Sequence, residues 1–221
     1  MERSLDGFVA DIGGGCPASG AGPRPGPPPP GGPPPYAGEF DFYVLSLSWS
    51  PTFCLTHPDD QQCSGKGYGF VLHGLWPQYA KGGWPASCAP QSRLSDADFA
   101  KGKTLFPSPK LLRHEWAKHG TCSGLEASAY LDKTDAALGV VKIPQKLEPF
   151  NVPSGLAARD IEALFRESNP AMGNHGLAVI CKGAVLTEVR VCLTKDLAFA
   201  GCPRSVKSQC RDGDIRIPTQ R

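Results

Sequence analysis

The chain of 221 residues lacks several features that mark common classes of protein. Its cysteines form no repeated C-x-x-C pair, which argues against a structural zinc site. Its formal net charge of +2 is far below that of proteins that coat phosphate backbones, so an anionic ligand would have to meet a local patch. It also lacks a cluster of Asp residues, which argues against a two-metal site.

The N-terminus lacks an apolar stretch of the length that a signal peptide or membrane span requires. Nine cysteines nevertheless favour disulfides and an oxidising compartment. We therefore expect either that a leader is missing from this sequence or that its start differs from the native one. Cys16 stands alone in the tail, while the other eight form an even set with 105 possible pairings. These eight are Cys54, Cys63, Cys88, Cys122, Cys181, Cys192, Cys202 and Cys210.

The composition changes near Glu39. Residues 13–38 are dominated by Gly and Pro, which supply few backbone donors and no side-chain face to bury, so residues 1–38 are predicted to form a disordered or polyproline II tail. A spacer and a ligand for a proline-reading domain both remain open for this tail. Residues 39–221 are predicted to form one folded domain.

Within this domain, alternating apolar residues and turn signals predict strands first, then helices, then strands again. Ser108 and Pro109 form a helix start and Gly120 a stop. This order predicts an α+β fold with a central antiparallel sheet flanked by helices and stabilised by disulfides. The predicted strands are 40–49, 66–73 (ended by Gly74 and Pro77), 177–181 and 184–193, and the predicted helices are 95–100, 109–119, 125–138 and 154–168.

Two short segments hold three of the five histidines: residues 70–77 (FVLHGLWP) and 114–122 (HEWAKHGTC). If residues 109–119 are helical, Lys118, Glu115 and His119 lie at about 40°, 100° and 140° from His114 around the axis. The two histidines of this helix are five residues apart and diverge, unlike the nearly eclipsed pair of a zinc-protease helix. The segment therefore does not predict a metal site.

An arc of this kind suits a phosphodiester instead. Cleavage of RNA without a metal requires a base for the 2′-hydroxyl, an acid for the departing 5′-oxygen, and positive charge around the phosphorane. His73, from a separate segment, could face the helix across a cleft. Each residue alone has a simpler interpretation, a structural histidine or a solvated helix face, and only their joint occurrence favours catalysis.

Both segments resemble the two active-site segments of the ribonuclease T2 family, and Leu47, Ser48, Trp49 and Cys54 resemble its opening strand. The resemblance extends over roughly residues 40 to 210. It implies an acid endoribonuclease that cuts single-stranded RNA by transesterification, through a 2′,3′-cyclic phosphate to a 3′-phosphate, with low base specificity. The implied reaction needs no cofactor, and no obligate protein partner is evident from the sequence.

By this resemblance His119 is the general base and His73 the general acid, Glu115 and Lys118 stabilise the phosphorane, and His114 holds the phosphate. Trp49, Trp76 and Tyr79 are candidates for base or sugar contacts, with core packing equally open for all three. The family's disulfides imply the pairs Cys54–Cys63, Cys88–Cys122, Cys181–Cys210 and Cys192–Cys202.

The resemblance and the cysteines together predict a secreted or periplasmic protein. A protein of a different class, which keeps the fold and binds RNA or acts in defence without needing catalysis, is the alternative. Persistent RNA binding without turnover would distinguish it.

Overall fold

The computed structural model describes residues 37–89 and 92–219. The predicted tail lies outside these residues except for Ala37 and Gly38. The described residues form six strands: β1 Phe42–Trp49, β2 Phe70–Gln78, β3 Gly155–Ala157, β4 Leu177–Lys182, β5 Val185–Leu193 and β6 Asp214–Arg216. They also form five α-helices: α1 Ser50–Cys54, α2 Asp96–Gly102, α3 Pro109–Lys118, α4 Ala127–Val140 and α5 Ala158–Ser168. Single 3₁₀ turns occupy Gln61–Cys63, Gly120–Cys122 and Gln145–Leu147.

The strands form one sheet in the order β2-β1-β5-β6-β3, with β4 also paired to β5. All pairings are antiparallel except the contact of β5 with β6, where Val185 lies opposite Arg216. The predicted α+β fold is confirmed, and the sheet is mixed but mostly antiparallel. β4 and β5 form a tight hairpin at the predicted place, because Gly183 adopts a φ of 64° that favours glycine.

The hydrophobic core lies on one face of this sheet. Tyr43, Leu45, Leu47 and Trp49 alternate along β1 and point into it, as the period of two requires. The helices contribute fully buried side chains, which include Leu112, Tyr130, Ile161 and Phe165. On the other face, Phe42 and Val44 join a smaller cluster with Ala178, Cys192 and Val206.

Four disulfides join Cys54 to Cys63, Cys88 to Cys122, Cys181 to Cys210 and Cys192 to Cys202. The pairing implied by the family resemblance is confirmed. Within the part of the chain that the structure describes, no helix is long and apolar enough to cross a bilayer.

The prediction that β2 ends at Gly74 was wrong, since the strand continues to Gln78. Two physical reasons explain the error. Gly74 lies within the strand because its missing Cβ lets the side chains of Glu115 and Trp76 approach closely. Pro77 is tolerated because β2 is an edge strand of the described sheet.

The helices also differ in detail from their predictions. Helix α3 begins at the predicted Ser108 cap, whose side chain accepts from the Leu111 N–H, but it ends at Lys118. Helix α5 begins at Ala158, because Gly155–Ala157 pair with β6, so Ser154 does not cap it. Helix α2, predicted over 95–100, runs from Asp96 to Gly102, and Ser95 is its cap, with Asp98 completing a capping box.

Candidate active site

His73 occupies a β-bulge in β2. Ser46 lies opposite Gly74 and Leu47 opposite Leu72, so His73 is the extra residue that β1 does not pair. Such a bulge re-aims a side chain. The His73 Nδ1 lies 2.9 Å from Oε2 of Glu188 on β5, and its Nε2 lies 3.8 Å from Oε1 of Glu115 on α3.

Glu115 is buried, with 1% of its surface exposed, and is fixed by Trp76. The Trp76 Nε1 donates to Glu115 Oε2 at 2.6 Å, which leaves Oε1 directed to His73. Gly74 makes this contact possible, because a Cβ at this position would lie 2.1 Å from Glu115 Oε2 and 2.3 Å from Trp76 Nε1.

His119 follows α3 as its C-terminal cap residue, with φ −118° and ψ −46°. Its backbone N–H donates to the Glu115 carbonyl at 2.9 Å, which continues the helical pattern. Its ring is buried, 5.2 Å from the Trp76 ring, and no described group pairs with its Nδ1.

Trp76 packs against both candidate catalytic histidines. Its ring centre is 5.0 Å from that of His73 and 5.2 Å from that of His119. Both histidines, with His114, Glu115 and Lys118, line one cavity of about 240 Å³. The structure thus brings together all five residues that the sequence placed in the catalytic set.

The same cavity is lined by residues that the sequence analysis missed: Gln78, Gly83, Trp84, Arg190 and Ser205. Trp84 is 54% exposed. Arg190 places its guanidinium 5.3 Å from the centre of the Trp76 ring and pairs with Glu188. A signal for these two β5 residues was present, since Glu188 and Arg190 are opposite charges two apart, and so on one face, in an otherwise apolar strand.

A second cavity of about 300 Å³ adjoins the first and shares His73 and His114 with it. Ser48, Phe53, His57 and Leu111 are among its other lining residues. The Phe53 and His57 rings are stacked, 4.2 Å apart. His73 and His114 thus lie at the border between the two cavities.

Two predicted substrate contacts are not in the cavity. Trp49 has no exposed surface, and its Nε1 donates to the Pro218 carbonyl at 2.7 Å, so the packing interpretation applies and the expected substrate contact is corrected. Tyr79 is half-buried against the core and does not line the cavity. Gln78, the last residue of β2, does line it, on the same face of the strand as Trp76. Trp116 is buried in the core.

The two catalytic candidates have opposite pKa shifts. Burial alone would lower the pKa of His73, but the hydrogen bond and charge of Glu188, with the charge of Glu115, outweigh it and raise this pKa above its ordinary value. Burial lowers the pKa of His119 to about 3, and the charges of Lys118 and His114 act in the same direction. His73 therefore favours the protonated form and His119 the neutral form.

The other titratable groups follow the same rules. Burial raises the pKa of Glu115, although His73, Trp76 and Lys118 oppose this shift. Burial and the charge of Lys118 lower the pKa of His114. A protonated carboxyl is a hydrogen-bond donor, so a raised pKa lets Glu115 donate to an oxyanion in acidic solution.

Residues 40–202 match the family model described as the ribonuclease T2 family, which is well over half of the chain. The chain belongs to the ribonuclease T2 family. Among its curated relatives, a ribonuclease of Aeromonas hydrophila is 54% identical over 89 residues, which is 40% of each chain. A probable ribonuclease of Haemophilus influenzae is 29% identical over 73% of this chain and 61% of its own length. The chain thus spans less than two thirds of the length of these two curated relatives.

Two solved structures have the same fold as this chain. An RNase-related protein from Calystegia sepium superimposes with a TM-score of 0.68 at 25% identity, over 81% of this chain and 98% of that chain. RNase NT, solved in complex with 5′-AMP, gives a TM-score of 0.62 at 25% identity with the same coverage. The match to the family model and the fold similarity to these two proteins therefore point in the same direction.

Proposed function

We propose that this chain is an endoribonuclease that cleaves single-stranded RNA by metal-independent transesterification, through a 2′,3′-cyclic phosphate to 3′-phosphate ends. One observation carries the proposal: His73 and His119 line one cavity, each packed against Trp76, and their pKa values are shifted in opposite directions. Acid/base cleavage of a phosphodiester requires such a pair, one protonated and one neutral at the same pH.

In the first step, neutral His119 takes the proton of the 2′-hydroxyl while the 2′-oxygen attacks phosphorus. The bond from phosphorus to the 5′-oxygen breaks, and protonated His73 supplies the proton that this oxygen needs as it leaves. In the second step the roles reverse. His73 takes a proton from water, which attacks phosphorus, and His119 returns a proton to the 2′-oxygen.

The remaining residues of the proposed catalytic set stabilise the charge on the phosphorane. Lys118 and His114 lie in the same cavity, where Lys118 supplies positive charge and His114 a ring N–H donor, and Glu115, when it is protonated in acidic solution, can donate through Oε1. Because the Trp76 Nε1 already occupies Oε2, the proton of Glu115 would sit on the oxygen closest to His73 and the cavity.

The flanking nucleosides have two places to bind. Trp76 and exposed Trp84 offer aromatic faces in the catalytic cavity, and the second cavity, with its stacked Phe53 and His57, offers another. Base stacking on aromatic faces discriminates little among bases, which supports low base specificity.

The four disulfides favour an oxidising compartment, so we propose a secreted or periplasmic location. Residues 39–221 constitute the proposed catalytic domain.

Incubation of RNA with the protein and EDTA tests the proposal. We expect cleavage by the wild type, and at least a 100-fold loss in His119→Ala because its general base is removed. His175→Ala is the matched control, since His175 lines a different cavity, and it should cut like the wild type. Mass analysis of the products should find 2′,3′-cyclic phosphate ends. RNA that is bound but never cut would instead support the non-catalytic alternative.

A further inference from the structure

Glu188 is a buried carboxylate that the proposed mechanism does not use. It lies on β5, a strand paired on both sides, and only 7% of its surface is exposed. Its Oε2 lies 2.9 Å from His73 Nδ1, and its Oε1 accepts from Arg190 Nε. A charge at such a depth requires partners, and Glu188 has one on each oxygen.

These contacts fix the state of Glu188. Burial would raise its pKa, but the hydrogen bond from His73 and the charge of Arg190 outweigh this and lower the pKa below its ordinary value. Glu188 is therefore ionised and can only accept hydrogen bonds. His73 Nδ1 must then carry a proton in both charge states of the ring, which leaves Nε2 as the titrating nitrogen.

We propose that Glu188, held by Arg190, is a positioning residue for the general acid: it fixes the Nδ1–H tautomer of His73 and aims Nε2 at the leaving oxygen. This inference rests on the proposed ribonuclease function. The bulge supports it, because His73 has no partner on β1 to set its direction, and the contact with β5 supplies one.

The charge of Glu188 also keeps His73 protonated. The charged groups facing His73 are Glu188 and Arg190 from β5, Glu115 and His114 from α3, and His119 after that helix. Glu188 and Glu115 favour the imidazolium, while Arg190 disfavours it. Glu188 is the nearer carboxylate and forms the direct hydrogen bond, so its loss should have the larger effect.

The competing explanation is structural: Glu188 and Arg190 could simply be an ion pair that seals the sheet. Two substrates separate these explanations. A dinucleoside phosphate has a poor leaving group that needs a proton, whereas a uridine 3′-(4-nitrophenyl phosphate) has a good leaving group that does not.

In Glu188→Gln, which preserves shape but removes the charge and leaves one accepting oxygen for His73 Nδ1 and Arg190 Nε, we expect kcat/KM for the dinucleotide to fall about 10- to 100-fold. The loss with the aryl ester should stay within about 3-fold, and the alkaline limb of the dinucleotide profile should move to lower pH. Glu162→Gln is the matched control, because its carboxylate contacts Ser208 and Arg166 and lines a different cavity. It should leave both rates and the pH profile unchanged.

Equal losses on both substrates with an unmoved alkaline limb would overturn the proposal in favour of the ion-pair explanation. If the wild type cuts neither substrate, the ribonuclease function itself fails. If the wild type cuts both and Glu188→Gln matches it, only the present inference fails.

A measurement on the wild type covers the case in which Glu188→Gln does not fold. ¹⁵N chemical shifts of the His73 ring, followed through its titration, report which nitrogen loses its proton. The proposal requires Nε2 to titrate and Nδ1 to stay protonated, and a neutral Nε2–H form would refute it.

Discussion

Gly74 has no Cβ, and this absence lets Glu115 and Trp76 pack together in the candidate active site. A methyl group there would overlap Glu115 Oε2 and Trp76 Nε1. We predict that Gly74→Ala loses at least 10-fold in kcat/KM and about 1–3 kcal/mol of unfolding free energy, since overpacking forces both side chains to move. Chemical denaturation and RNA cleavage assays measure the two effects.

Gly139, which lies in α4, provides the matched control, because a Cβ at this position would meet no neighbouring group within 4 Å. Gly139→Ala should retain activity and gain about 0.5–1 kcal/mol from helix propensity. If Gly74→Ala behaves like Gly139→Ala, the close approach of Glu115 and Trp76 has no functional role.

The opposite shifts of His73 and His119 predict a bell-shaped pH profile for kcat/KM. His119 must be neutral, so activity should rise as pH increases through its pKa of about 3. His73 must be protonated, so activity should fall as pH increases through its pKa, which lies above the ordinary 6.5. Steady-state kinetics across the acidic and neutral range checks this, and a maximum in alkaline solution would contradict it.

These residues differ in how far the sequence could predict them. His114, Glu115, Lys118 and His119 share one helical segment, so local periodicity places them together. Glu188 could not be assigned in this way, because it meets His73 across 115 residues of sequence and only the sheet register brings them together.

At the level of elements, the end of α3 is tied to the loop that carries Trp84. The Ser87 N–H donates to the Lys118 carbonyl at 2.8 Å, and the Cys88–Cys122 disulfide joins the same two segments. This disulfide closes a separation of 34 residues, worth on the order of 3–4 kcal/mol by loop-closure entropy. It therefore holds the catalytic cavity as well as the fold.

We predict that Cys88→Ala/Cys122→Ala lowers the melting temperature by roughly 10 °C and also reduces kcat/KM. Cys181→Ala/Cys210→Ala removes a disulfide of similar separation, 29 residues, that does not involve α3. Its melting temperature should fall by a similar amount with a smaller loss of activity. Calorimetry and cleavage assays compare them, and equal activity losses would show that the tie to α3 has no special role.

The elements that the sequence predicted well have their signals within a few residues. Ser95 and Ser108 cap α2 and α3 through their own local hydrogen bonds, which capping patterns identify. The course of β2 past Gly74 and Pro77 was not predictable locally. It depends on the pairing of β2 with β1 in the described sheet, which leaves β2 at the edge, and on the packing of α3 against Gly74.

At the scale of the whole molecule, the described lining of the proposed catalytic cavity comes from residues between His73 and Ser205. The Gly38 N–H still donates to the Cys122 carbonyl at 2.9 Å, next to the disulfide. We predict that a chain of residues 37–221 keeps full activity and melting temperature. Expression of both lengths, with RNA cleavage and calorimetry, measures this. A large loss in the shorter chain would show that the catalytic domain extends further towards the N-terminus.

The bulge at His73 also has a consequence for association between molecules. β2 lies at the edge of the described sheet, and the backbone groups of an edge strand can template a strand from a second copy. The bulge breaks the regular spacing of these groups, and Pro77 removes one donor. The irregularity that aims His73 therefore also makes this edge a poor template for aggregation.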